Sequence, residues 1–206
     1  MLFKLLVLFS FLTVLLLLRQ LVNIFPSLLA CLIRGKESLN LEASVKLSRD
    51  RDLLALAMIV PFCLTAYRYG LYLPGFFKGF SPDAYLGLCF GVFLVYVLLR
   101  AVMTWIFRPK KMPKKTYVAA DKASYSFFII YTLVLLALGG VLGMIDMPDD
   151  GVRNAMLWVS ASIYALFIIR KTQIFSTSCS IFAALLYLCA LEMIPTGILV
   201  VSAIIF

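Results

Sequence analysis

Ala84-Tyr-Leu-Gly-Leu-Cys-Phe-Gly-Val-Phe-Leu-Val-Tyr-Val-Leu-Leu-Arg-Ala-Val-Met-Thr-Trp-Ile-Phe107 is apolar from end to end apart from Arg100. A bilayer core is crossed by about 20 helical residues, so this run is long enough to span a membrane. Similar runs cover 1–18, 53–73, 125–145, 155–169 and 180–206. Continuous apolar stretches lack the two-residue alternation of a membrane barrel, and hydrocarbon offers the backbone no hydrogen-bond partners. The pattern therefore predicts an all-α membrane protein: a bundle of about six transmembrane helices forming one integral membrane domain over 1–206.

Composition agrees. The chain is 64% hydrophobic and 14% charged, with a mean hydropathy of +1.04, whereas soluble domains carry about 25% charged residues. Its net charge of +9 would suggest a nucleic-acid partner in a soluble protein. Here the placement of the charge matters more. With the segment between the first two spans taken as cytoplasmic, fifteen Lys and Arg residues fall on that side and four (Lys4, Arg68, Lys78, Arg153) on the other. The positive-inside rule then places both termini in the periplasm and the protein in a bacterial inner membrane. Lys4 ahead of Leu5 to Leu18 resembles a signal peptide, but Arg19, Gln20, Asn23 and Pro26 follow the apolar run, and it is expected to remain as an anchor.

The segment 19–52 is expected to lie at the interface and in the cytoplasm. Between Arg19 and Arg34, polar Gln20, Asn23 and Ser27 oppose Leu21, Ile24, Phe25, Leu28 and Leu32, the pattern of an amphipathic helix at a membrane surface, bent or restarted at Pro26. Gly35 to Asp52 is polar and predicts a short cytoplasmic helix feeding the second span. The loop Arg108 to Lys122 carries six basic residues and one acid. Arg108, Lys110, Lys111, Lys114 and Lys115 form a candidate patch for anionic lipids or a negatively charged partner such as ribosomal RNA, with a plain topology signal as the simpler account. No DNA partner is expected.

Glu192, within Leu185-Leu-Tyr-Leu-Cys-Ala-Leu-Glu-Met-Ile-Pro195, is the acid set deepest in an apolar run. A carboxylate there is normally paired, protonated or functional. Counted from Ser180 it lies about 18 Å deep, and Arg100, about 12 Å from Arg108, is its first candidate partner. Arg68 is the second, and Tyr187 is a candidate hydrogen-bond donor. Structural pairing, contact with another subunit, and proton or cation coupling at Glu192 are all open. Gly87 with Gly91, and Gly139 with Gly143, have the four-residue spacing that lets helix backbones approach closely.

Catalytic patterns are missing. The chain has no histidine, no Gly-x-Ser-x-Gly elbow and no phosphate-binding glycine loop. Cys31, Cys63, Cys89, Cys179 and Cys189 form no CxxC pair and sit in or beside apolar runs, which points to packing. No enzyme, metal or cofactor is expected.

The segments Ile168-Ile-Arg-Lys-Thr-Gln-Ile-Phe175 and Leu186-Tyr-Leu-Cys-Ala-Leu-Glu-Met-Ile-Pro195 resemble the C-terminal signature of an uncharacterised multipass inner-membrane family of Bacteroidota, a domain of unknown function with the pattern Tyr-Leu-Cys-x-Leu-Glu-x-x-Pro. Arg19-Gln20, Phe25-Pro26 and Arg51-Asp52 are similar to that family's opening, and Met193 stands where another aliphatic residue is expected. The resemblance implies a multipass membrane protein and adds weight to Glu192 and Arg170, with no activity to carry over. The leading expectation is a nonenzymatic subunit or accessory factor of a membrane assembly, in protein export or envelope biogenesis, with other membrane proteins as partners. A small proton-coupled or ion transporter using Glu192 is the alternative, and a lipid-handling protein the third reading.

Overall fold

The structure, a computed structural model, describes residues 2–35, 37–71, 81–106, 113–176, 188–197 and 200. Among these the chain is helical, with no strand: α1 (Leu2–Leu16), α2 (Leu18–Ile33), α3 (Glu37–Ala43), α4 (Val45–Ala57), α5 (Ile59–Tyr69), α6 (Pro82–Ile106), α7 (Lys114–Met144) and α8 (Asp149–Ser176), followed by a π turn at Cys189–Met193.

Four stretches are long and apolar enough to cross a membrane: Val45–Tyr69, which joins α4 to α5, then α6, most of α7, and α8. α1 and α2 supply a fifth if the pair forms one span, although they meet at 70°. The expected sixth span, 180–206, falls largely outside the described residues. The exterior suits lipid. Leu8, Leu16, Trp105, Met144 and Trp158 are each at least 70% exposed, and large contiguous apolar surface of this kind marks a protein that meets a membrane or a partner.

Several expected boundaries move. The second span begins at Val45 rather than 53, because the polar turn of α4 runs directly into α5. The expected separate cytoplasmic helix shrinks to α3. The fifth helix reaches Ser176 rather than 169, since Arg170, Lys171 and Gln173 are compatible with helix and α8 buries Lys171, Ile174 and Phe175 along one face. The bend near the first span is at Leu17 and not at Pro26, which sits inside α2. Just before the bend the Thr13 hydroxyl donates to the Phe9 carbonyl at 2.8 Å, a back-bond that commonly bends helices.

α7 is the hub, packing against α2, α3, α4, α5 and α8. One core joins Ile24, Leu28 and Cys31 of α2 to Leu54 and Ala55 of α4 and Ile129 of α7, so the centre of the amphipathic segment's apolar face is covered by protein, while Phe25 stays exposed. A second core gathers around Phe62, whose ring meets Phe93, Phe128 and Tyr131 at 5.3 to 5.7 Å between centroids, distances at which aromatic pairs attract. Cys31, Cys63 and Cys89 are buried free thiols within these cores, as their apolar surroundings suggest. Cys179 lies outside the described residues. α5 ends on Gly70, whose φ of +61° is the left-handed conformation that glycine adopts at no steric cost.

Candidate functional site

The buried ionic chemistry gathers at the end of the bundle where α6 ends and α7 begins, in two groups on either side of α7. The first is built on Glu192. Its side chain is 1% exposed, and Oε1 accepts from Arg100 Nη2 at 2.8 Å and from Lys171 Nζ in a close ion pair. Lys171 is equally buried, with its ammonium 5.3 Å from the Phe167 ring centroid. Two cations thus share one carboxylate oxygen.

Local backbone explains how Glu192 reaches them. In the π turn the Ile194 amide donates to the Cys189 carbonyl, five residues back, and Pro195 supplies no amide hydrogen. The Glu192 carbonyl accepts from the Tyr164 hydroxyl at 3.1 Å. Thr196 Oγ1 meets the Tyr96 hydroxyl at 3.3 Å. The irregular turn is therefore tied to α6 and α8 by side chains.

Arg100 is the partner that depth suggested. Arg68 is not: it lies at the opposite end of the bundle, 58% exposed, 3.4 Å from Asp149. Tyr187 lies outside the described residues, and Tyr164 is the tyrosine seen bound to Glu192, on its main chain. Lys171 was missed because it stands just past the expected end of the fifth span. A usable signal existed, since Phe167, Lys171, Ile174 and Phe175 fall on one helical face and all are buried. Glu192 is level with Lys171 of α8 and Arg100 of α6, both of which bind it.

Arg170 does not face Glu192. Its Nε donates to the Leu32 carbonyl at 2.7 Å, satisfying a carbonyl in the last turn of α2. Opposite, Gly35 has the Arg170 carbonyl 3.4 Å from where a Cβ would stand, so α2 and α8 meet closely there.

The second group was not anticipated. Arg51, 2% exposed, binds Glu42 at 3.0 Å and Asp52 at 2.7 Å, and Lys122 binds Asp52 at 3.0 Å and Glu42 at 3.4 Å. Ser48 Oγ bridges them, donating to Glu42 at 3.2 Å and accepting from Arg51 at 3.1 Å. Here two cations meet two carboxylates. A buried arginine is seldom left without such partners. The signal in sequence was Ser48, Arg51, Leu54 and Ala55 on one helical face.

Of the basic patch, Arg108, Lys110 and Lys111 lie outside the described residues, and Lys114 and Lys115 are described in backbone only. Among the described residues, no three His, Cys, Asp or Glu side chains converge as a metal site would need. The glycines divide. A Cβ on Gly139 would stand 3.0 Å from Met156 Cε, whereas at Gly87, Gly91, Gly140 and Gly143 it would meet nothing within 4 Å. Among the described residues, close approach therefore occurs at Gly139 alone of the four spaced glycines.

No protein-family model, curated protein or solved structure matches the chain.

Proposed function

We propose that the chain is a nonenzymatic multipass protein of a bacterial inner membrane that serves as a subunit or accessory factor of a larger membrane assembly, in protein export or envelope biogenesis. The proposal includes membership of the Bacteroidota family whose signature its C-terminal segment resembles, six spans, and both termini in the periplasm. The observation that carries the reading is α6. Of its 25 residues only Leu86 and Cys89 are buried, and the space beyond Gly87 and Gly91 is open. Small residues four apart are the usual seam of helix association in lipid, and here that seam meets no partner among the described residues. A helix from another subunit fits it.

Purification of the native complex in mild detergent, followed by identification of the proteins retained, tests this. A defined heteromeric complex is the expected result; recovery of the monomer or a homo-oligomer alone contradicts it. Reporter fusions at Phe206 and Lys114 test the orientation, with periplasmic and cytoplasmic readouts expected respectively, and the reverse pattern contradicting it.

The alternative, coupling of a proton or cation at Glu192, fits less well. Arg100 and Lys171 both bind its carboxylate, so a further cation would compete with two resident positive charges. The lipid-handling reading through Lys110 to Lys115 rests on sequence alone.

A further inference from the structure

Beside the Arg51 cluster an open cleft of about 560 Å3 runs along the outer face of α4. It is lined by the polar Glu42, Ser48, Arg49, Asp52 and Lys122 and by the apolar Val45, Leu53 and Leu56. We propose that this cleft binds the headgroup of a zwitterionic aminophospholipid, of the phosphatidylethanolamine class, with the acyl chains descending over Leu53 and Leu56.

Three observations lead there. The first is the vertical order of the lining. Arg49 and Leu53 are one turn apart on the same face, and Leu56 follows three residues on, about 10 Å below Arg49 along the axis. Val45, one turn before Arg49, is also apolar and exposed, but from Arg49 to Leu56 the face spans more than one leaflet's headgroup layer, which is about 5–7 Å deep. Leu53 and Leu56 are 42% and 69% exposed, as a surface that meets acyl chains should be.

The second is the state of the charges. Arg51 is consumed by its carboxylates, and Lys122 by the same two. Arg49 is exposed and, among the described residues, makes no ion pair. It is the cation available to a phosphate diester, which a guanidinium can hold through two parallel hydrogen bonds.

The third is the presence of both signs. Glu42 and Asp52 face the same cleft, and their side chains are 20% and 36% exposed. A carboxylate has about four acceptor positions, so each retains capacity beyond its bonds to Arg51 and Lys122. A primary ammonium can use it. A headgroup without an ammonium would gain Arg49 but leave the spare acceptor positions of Glu42 and Asp52 unused, and one bearing a trimethylated nitrogen could not donate to them. The lining thus favours a phosphate and an ammonium held by one molecule.

The test uses the full chain, purified and exposed to an equimolar mixture of palmitoyl-oleoyl phosphatidylethanolamine, phosphatidylglycerol and phosphatidylcholine, with retained lipid counted by native mass spectrometry. The ethanolamine lipid should be retained in preference to both others. Arg49→Ala should lower that retention about tenfold, the loss of one charge-assisted contact, while the thermal unfolding midpoint stays unchanged because Arg49 is exposed and unpaired. Leu56→Ala, also exposed, should weaken retention of all three lipids alike. Equal retention of the three lipids, preference for phosphatidylglycerol, an Arg49→Ala protein that retains lipid like the wild type, or a polypeptide found in place of lipid would each overturn the proposal.

Discussion

Arg100 on α6 and Lys171 on α8 bind the same carboxylate oxygen, Glu192 Oε1. Across α7, Arg51 and Lys122 share two carboxylates, those of Glu42 and Asp52. Two cations therefore meet one acid in the first group and two acids in the second. Ion pairs of this kind contribute more to fixing helix register than to net stability.

The Arg51 cluster should respond unequally to its two cations. Arg51→Met removes a buried charge that Glu42 and Asp52 both need, and should lower stability by about 2–3 kcal/mol after allowance for the partial exposure of the two acids. Lys122→Met removes a partly exposed charge and should lower it by about 1 kcal/mol or less. Thermal unfolding in detergent ranks the two variants; an Arg51→Met protein less perturbed than Lys122→Met would contradict the geometry.

Arg68 and Asp149 form an exposed pair at the opposite end. Arg68→Ala should therefore change stability by less than about 1 kcal/mol. A larger loss, measured in the same assay, would mean that Arg68 has a buried role.

The glycines separate packing inside the chain from packing outside it. Gly139→Leu pushes into Met156 and should destabilise the isolated protein by about 1–3 kcal/mol. Gly87→Leu has open space and should leave the isolated protein unaffected, yet reduce the yield of co-purifying subunits from native membranes. Unchanged recovery of partners with Gly87→Leu would remove α6 as the docking face.

Tyr164→Phe removes the hydroxyl that holds the Glu192 carbonyl across from α8. It should cost about 1 kcal/mol and speed hydrogen exchange in the π turn. Exchange rates equal to those of the wild type would show that the turn is held by other contacts.

The helical membrane class was legible from apolar run lengths alone, because hydrocarbon excludes nearly every other backbone arrangement. Boundaries were less so. Hydropathy falls at Val45 to Asp52 and at Arg170 to Gln173, yet helix continues through both, since polar residues there are paired inside the protein instead of facing lipid. The same effect hid half of the candidate site. Arg100 could be matched to Glu192 by depth, but Lys171 looked like a boundary residue, and Arg51, Glu42, Asp52 and Lys122 looked like a solvated segment. Hydropathy registers how polar a residue is, and pairing across helices is a property of the folded bundle. The amphipathic face of α2 showed the opposite case: its apolar stripe was visible, but the sequence did not indicate that α4 and α7, rather than lipid, cover its centre.

The central claim is that Glu192 is a structural counter-ion to Lys171 and Arg100, and thermal unfolding of Glu192→Gln alone and combined with Lys171→Met tests it most directly. Glu192→Gln leaves two cations without their shared carboxylate, so the unfolding midpoint should fall by about 6 °C or more, and adding Lys171→Met should restore much of that loss. A Glu192→Gln protein as stable as the wild type, or a double variant whose loss is the sum of the two single ones, would contradict the account.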